Sequence, residues 1–121
     1  MTPEAAVFKE LSSFGMPAYA STSVPDGAEY PYLTYELVTD DFTGGMLSMA
    51  VNLWYRGDSE SEPNAGARMV ADRIGAGRIV ECDGGGVLLM KGSPFCQSMG
   101  DPTDDKIKRR YISLQVQYLT M

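Results

Sequence analysis

Residues 106–120, KIKRRYISLQVQYLT, constrain this chain more than any other stretch. From Arg110 onward, Ile112, Leu114, Val116 and Tyr118 alternate with Ser113, Gln115 and Gln117. Side chains of an extended strand point to opposite faces with period two, so the pattern predicts a long strand with one apolar and one polar face. A free apolar edge invites aggregation, which places the strand inside an antiparallel sheet. Its polar face carries no charge. A meander strand with one wet face and a strand that meets another protein both fit that pattern.

The rest of the chain supplies partners for this strand. Thr2-Pro3 reads as an N-cap with proline in the first turn. Val7, Phe8, Leu11 and Phe14 then recur at helical spacing up to Gly15, predicting an amphipathic helix over 3–14. A short strand is expected within 16–23, bounded by Pro17 and Pro25, and Asp26-Gly27 signals a turn. In YPYLTYELVTDDF, Leu33, Tyr35 and Leu37 share one face, and Tyr32, Thr34, Glu36 and Val38 the other. In MLSMAVNLWYRG, Leu47, Met49, Val51, Leu53 and Tyr55 alternate with Met46, Ser48, Ala50, Asn52, Trp54 and Arg56. Two adjacent long strands predict a hairpin, with Asp40, Asp41 and Phe42 at its tip.

A second helix opens within DSESEPN. Ser59 and Glu62 stand at capping-box spacing, Pro63 suits a first turn, and Asp58, Glu60 and Glu62 suit the positive end of the helix dipole. Ala67, Val70, Ala71 and Ile74 form its expected buried stripe. Residues 78–82 and 87–90 read as strands around Asp83-Gly84-Gly85-Gly86, a strong turn signal. A further extended piece is expected over 94–99, followed by the loop GDPTDD. The fold class is therefore α+β: one domain over 1–121, with a mostly antiparallel sheet and two helices packed on one face.

Composition enters where chemistry is at stake. The chain has no histidine, which removes the commonest general base and metal ligand. Its two cysteines, Cys82 and Cys96, make neither a zinc site nor a disulfide framework and read as small apolar residues in a reducing compartment. A cysteine enzyme would need a Cys–His pair that one chain cannot form. The three carboxylates at 58–62 are explained by helix capping without a metal. The triple glycine lacks the Gly-Lys-Ser/Thr and the following helix of a phosphate-binding loop. No signal peptide is expected, and no apolar run approaches the ~20 residues of a membrane span.

Sixteen acids against ten bases give a net charge of −6, which disfavours broad binding to nucleic-acid backbone. The sharpest charge contrast is the switch from GDPTDD to Lys106, Lys108, Arg109 and Arg110. This basic cluster is either a solvated strand end or a patch that meets acid on a neighbouring copy. Together with the Asp40, Asp41 and Phe42 tip it forms the candidate interface. Arg109 and Arg110 fall on opposite strand faces, so at most one is expected to point at a neighbour. Reversing either to Glu is expected to leave the fold intact.

The order and lengths of these elements resemble a known family. The N-terminal helix, PYLTYEL, MLSMAVNLWYRG followed by SESEPNAGARMVADRI, and RRYISLQVQYLT look like the tail terminator, or tail completion, proteins of long-tailed bacteriophages and the minor tail proteins grouped with them. The resemblance covers nearly the whole chain, with one departure in the short tip at 40–45. It implies an α+β fold whose subunits form a ring, typically of six. That ring caps the tail tube, ends its polymerisation and offers the surface that joins the head. The implied partners are copies of the chain, the tail tube protein and a head-completion or connector protein, at the head-proximal end of the virion tail after assembly in the host cytoplasm. No cofactor, enzymatic activity, nucleic-acid specificity or membrane association is implied. Another neck component of similar fold, or a small peptide- or ligand-binding module using a cavity between sheet and helices, is the alternative reading.

Overall fold

The computed structural model describes residues 1–36 and 46–120. The expected hairpin tip, with Asp40, Asp41 and Phe42, lies outside the described residues. The elements are α1 (Pro3–Ser12), β1 (Ala18–Ala20), β2 (Tyr32–Glu36), β3 (Met46–Arg56), α2 (Ser61–Ile74), β4 (Arg78–Cys82), β5 (Gly85–Gly100) and β6 (Ile107–Thr120). They form one six-stranded sheet in the order β1-β2-β3-β6-β5-β4. Every pair is antiparallel except β1 with β2, which run parallel. This is the expected α+β class.

β6 lies between β3 and β5 and hydrogen-bonds to both along most of its length. Its apolar residues Ile112, Leu114 and Val116 are buried, opposite Val51, Met49 and Leu47 on β3. Leu33 and Tyr35 on β2 and Val87 and Leu89 on β5 complete that face. Both helices lie on it. α1 contributes Val7 and Leu11, and α2 contributes Val70 and Ile74, all at most 1% exposed. Burying such side chains is worth about 1.5–3 kcal/mol each before the entropy of ordering them.

Local chemistry sets the ends. The Thr2 hydroxyl accepts from Ala5 N–H at 3.1 Å, an N-cap as expected, and α1 stops at Ser12 with Ser13 as its C-cap. The second expected cap differs. Glu60, not Ser59, is the N-cap of α2, and its side chain makes no cap hydrogen bond. The Ser59 hydroxyl instead accepts from Ser61 N–H at 3.0 Å, because the Glu60 carboxylate is drawn to the sheet. Asp83 and Gly84 join β4 to β5 with Gly84 at φ 78°, a left-handed position that favours glycine. The extended piece expected over 94–99 is not separate. It continues β5, and a register shift between Lys91 and Cys96 keeps both halves paired with β6.

α2 approaches the sheet at Gly66. A Cβ there would overlap the Tyr55 hydroxyl and lie 2.9 Å from Tyr55 Cζ. Replacing an interior helical glycine by alanine ordinarily gains up to ~1 kcal/mol. Here the overlap with a buried ring reverses the sign, since overpacking costs about 1–3 kcal/mol. Gly66→Ala is expected to lower the urea midpoint, with partial recovery in Gly66→Ala/Tyr55→Phe. A stabilised Gly66→Ala would show that α2 sits further from the sheet.

Candidate functional site

The basic start of β6 is divided by the alternation of the strand. Lys108 and Arg110 fall on the helix-covered face, and Arg109 falls on the other. Arg110 is buried, its side chain 4% exposed. Its Nη2 donates to Glu60 Oε1 at 2.6 Å and to Asn64 Oδ1 at 2.9 Å, and Nη1 donates to the Arg109 carbonyl at 3.4 Å. Lys108 Nζ donates to the Asp105 carbonyl at 2.8 Å and lies 3.7 Å from Glu60. Lys106, just before the strand, pairs through Nζ with Asp58, and its N–H donates to Asp104 Oδ1 at 3.0 Å. Two of the three acids that suited the helix dipole, Asp58 and Glu60, are thus also partners of this basic cluster.

These contacts set the titration of the carboxylates. The Arg110 hydrogen bond holds the Glu60 carboxyl below its ordinary range, with the Arg110 and Lys108 charges adding to it. The Lys106 hydrogen bond does the same for Asp58 and raises Lys106 in return. Asp101 is lowered by the hydroxyl and backbone N–H of Thr103, which both donate to it. The strand start is therefore an internal clamp between sheet and α2, and Lys106, Lys108 and Arg110 are engaged within the chain.

Arg109 has a different setting. Its guanidinium lies over the Trp54 ring, 5.2 Å from the centroid, with Nη2 2.6 Å from Met99 Sδ. Its Nε is buried without a hydrogen-bond partner, and no carboxylate pairs with it among the described residues. Trp54 stacks on Tyr32 with centroids 6.3 Å apart, and Tyr32 in turn meets Tyr30 at 5.3 Å and Tyr19 at 5.9 Å. The Trp54 Nε1–H donates to the Thr34 hydroxyl at 2.9 Å, fixing the indole in its tilt. The pattern of the sequence puts Tyr32 and Trp54 on the outer faces of their strands. That they stand beside Arg109 follows from the register Tyr32↔Trp54↔Arg109↔Met99, which no local signal reveals.

The other chemistry weighed from the sequence is quiet. Cys82 and Cys96 are half-buried beside the core, and burial pushes both thiols up, keeping them protonated at neutral pH. No group of three or more acidic or thiol ligands comes together among the described residues. The recess between α1 and β4 is open rather than enclosed. Its buried Glu10 is met by Arg78 Nε at 2.5 Å, an ion pair without hydrogen-bond alignment, and its Arg73 donates to the Ser13 hydroxyl at 3.0 Å. No described helix is long and apolar enough to cross a membrane. No family model matches the chain, and no curated protein matches it.

The clamp has a pH signature. A carboxyl held low in the folded state stabilises the fold above its unfolded value, and that contribution is lost as pH falls through the folded value. Glu60→Gln is expected to lower the thermal midpoint at neutral pH. The gap to the unmodified protein is expected to close as pH falls below about 4.5, the ordinary value for this carboxyl. A gap that stays constant into acid would mean that Glu60 acts through packing and not through its charge.

Proposed function

We propose that this protein is a structural component of long-tailed bacteriophage virions, a tail terminator. It forms a ring, most simply a hexamer, on the head-proximal end of the tail tube, ends tube polymerisation and joins tail to head. The observation that carries this reading is the element order: a short helix, three strands, a helix of 14 residues and three strands ending in the long β6. It follows the plan of the resemblance drawn from the sequence. Two features add support. The thiols are held protonated and no described cluster of residues forms a catalytic constellation, as suits a role played by surfaces. One face of the sheet is free of helices and rich in aromatic and uncharged polar groups, as suits a protein that works by contact. A neck component of related shape is the second reading. It would be separated from a terminator by its position between tail and head.

The basic cluster is redistributed within this proposal. Arg110 ties α2 to the sheet, so Arg110→Glu would set a carboxylate against Glu60 in a buried place and unfold that end of the domain. This differs from the expectation that either arginine can be reversed with the fold intact. Of the four basic residues at the strand start, Arg109 is the one without an acid partner among the described residues, and it is the one this proposal gives to a neighbour. Arg109→Glu is expected to keep the native circular dichroism spectrum while reducing the yield of joined phage in a tail-completion assay. In micrographs of assembled tails, antibody or gold label on this chain is expected at the head-proximal tube end. Tails of normal length whose ends carry no ring of this chain would overturn the proposal.

A ring that lets DNA pass should not hold it. With a net charge of −6 and three of the four basic side chains at the strand start engaged internally, no measurable affinity for duplex DNA is expected near physiological salt. Binding that weakens steeply as salt is added would instead reveal a phosphate site at the start of β6.

A further inference from the structure

β4 is the last strand of the sheet, so one of its edges has no strand beside it. Asp83 and Gly84 form a two-residue turn, which makes Cys82 and Gly85 the hydrogen-bonded pair that closes it. Main-chain bonding in an antiparallel pair alternates along the strand. Arg78, Val80 and Cys82 therefore turn their N–H and C=O groups to β5, and Ile79 and Glu81 turn theirs outward. Asp83 follows the outward parity, and its N–H donates to the Met1 carbonyl at 2.7 Å. Ile79 and Glu81 have no such main-chain partner among the described residues.

α1 runs along this edge in the opposite direction, from the Met1 ammonium at Asp83 to Glu10 at Arg78. Ala6, Lys9, Glu10 and Ser13, at i, i+3, i+4 and i+7, form the helix face turned to β4. Between helix and edge lies a recess of about 510 Å³, which Ile79 and Glu81 also line. Its side-chain cations are Lys9, Arg73 and Arg78, against the acids Glu10 and Glu81. Glu10 is taken by Arg78. Lys9 has no acid partner among the described residues, and Arg73 is held by uncharged groups, the Ser13 hydroxyl and carbonyl and the Phe14 ring. The end of the recess near Arg78 is thus basic in a chain of net charge −6.

We propose that this recess takes an extended segment of a partner protein, added to β4 as a further strand, with an acidic residue seated at Lys9 and Arg73. In such edge addition the main-chain hydrogen bonds give affinity and the side-chain contacts give specificity. The free N–H and C=O groups of Ile79 and Glu81 supply the first, and the two cations supply the second. Run antiparallel to β4, the stronger pairing, the segment passes Glu81 and then Ile79, so its acid lies on its C-terminal side. A second copy of this chain fits the edge poorly. β4 has five residues, and its exposed Arg78 and Glu81 blunt pairing between whole sheets. Pairing β4 with β4 would also bring a second Lys9, Arg73 and Arg78 to the same rim. The contact goes beyond the ring reading and is separate from it, since that reading is tested at Arg109 on the face without helices.

NMR and amide hydrogen exchange on the isotope-labelled full chain test it, with a capped peptide of three Val-Thr pairs followed by Asp-Asp as the probe. In the free chain the Ile79 and Glu81 amides are expected to exchange at least tenfold faster than those of Val80 and Cys82. The peptide is expected to shift both amides saturably and to slow their exchange at least fivefold. The same peptide ending in Lys-Lys should bind at least fivefold more weakly. Lys9→Glu, at an exposed helix position, should abolish that preference. Arg68→Glu, the same change in charge away from the recess, should leave it. Glu81→Pro removes one outward donor while sparing the β4–β5 ladder, and should weaken binding at least fivefold with the circular dichroism spectrum unchanged. No shift of Ile79 and Glu81 at millimolar peptide would overturn the proposal, as would equal binding of the two peptides. Shifts of these amides that grow with protein concentration alone would give the edge to a second copy and overturn it too. Each of these outcomes stands apart from whether tails carry a ring of this chain.

Discussion

Everything in this domain depends on β6 being hydrogen-bonded along both edges while showing different chemistry on its two faces. A strand between two neighbours cannot shift its register by one residue without moving Ile112, Leu114 and Val116 into water and Ser113 and Gln115 into the core. That constraint fixes β3 on one side and β5 on the other, and through them the rest of the sheet. The helices follow because the apolar face of β6 must be covered. Val7, Leu11, Val70 and Ile74 are the side chains that cover it.

The Arg110 clamp is the second level of the same plan. A guanidinium on the apolar face of the central strand is costly unless it is fully satisfied. The chain satisfies it with Glu60 and Asn64 at the opening of α2. The cost of burying the charge thereby becomes a constraint on where α2 begins and how it meets the sheet. Glu60 serves this contact rather than the cap of its own helix. The free N–H groups of that first turn are met partly by the Ser59 hydroxyl. Arg109, one residue earlier, escapes the clamp by pointing the other way. It lies instead on the face of the sheet that carries no helix, over the Trp54 ring.

Much of this was legible in the chain. Alternation along 106–120 and 46–56 predicted the long strands and their buried faces, and the helical spacing of Val7, Leu11, Val70 and Ile74 predicted the covering layer. Asp83-Gly84 predicted the β4–β5 turn. The capping box at Ser59 and Glu62 was misread, because a local cap signal cannot register a buried arginine fifty residues away competing for Glu60. The extended piece expected over 94–99 is the second half of β5. Pairing with β6 holds both halves in one strand across the register shift. The parallel placement of β1 beside β2 was likewise invisible, since three residues carry no sign of strand direction.

What the sequence determined by itself is which side of each strand is apolar, because period two is a property of a single segment and needs no partner. It determined the α+β class for the same reason. What only the tertiary structure decided is which outer side chains become neighbours. Tyr32, Trp54, Arg109 and Met99 are separated along the chain by tens of residues or by a turn, and they form one row only through the strand order and register. Strand pairing is a non-local choice, set by which arrangement buries the apolar faces together. The same choice places Lys106, Lys108 and Arg110 against internal acids and leaves Arg109 on the open face against Trp54 and Met99.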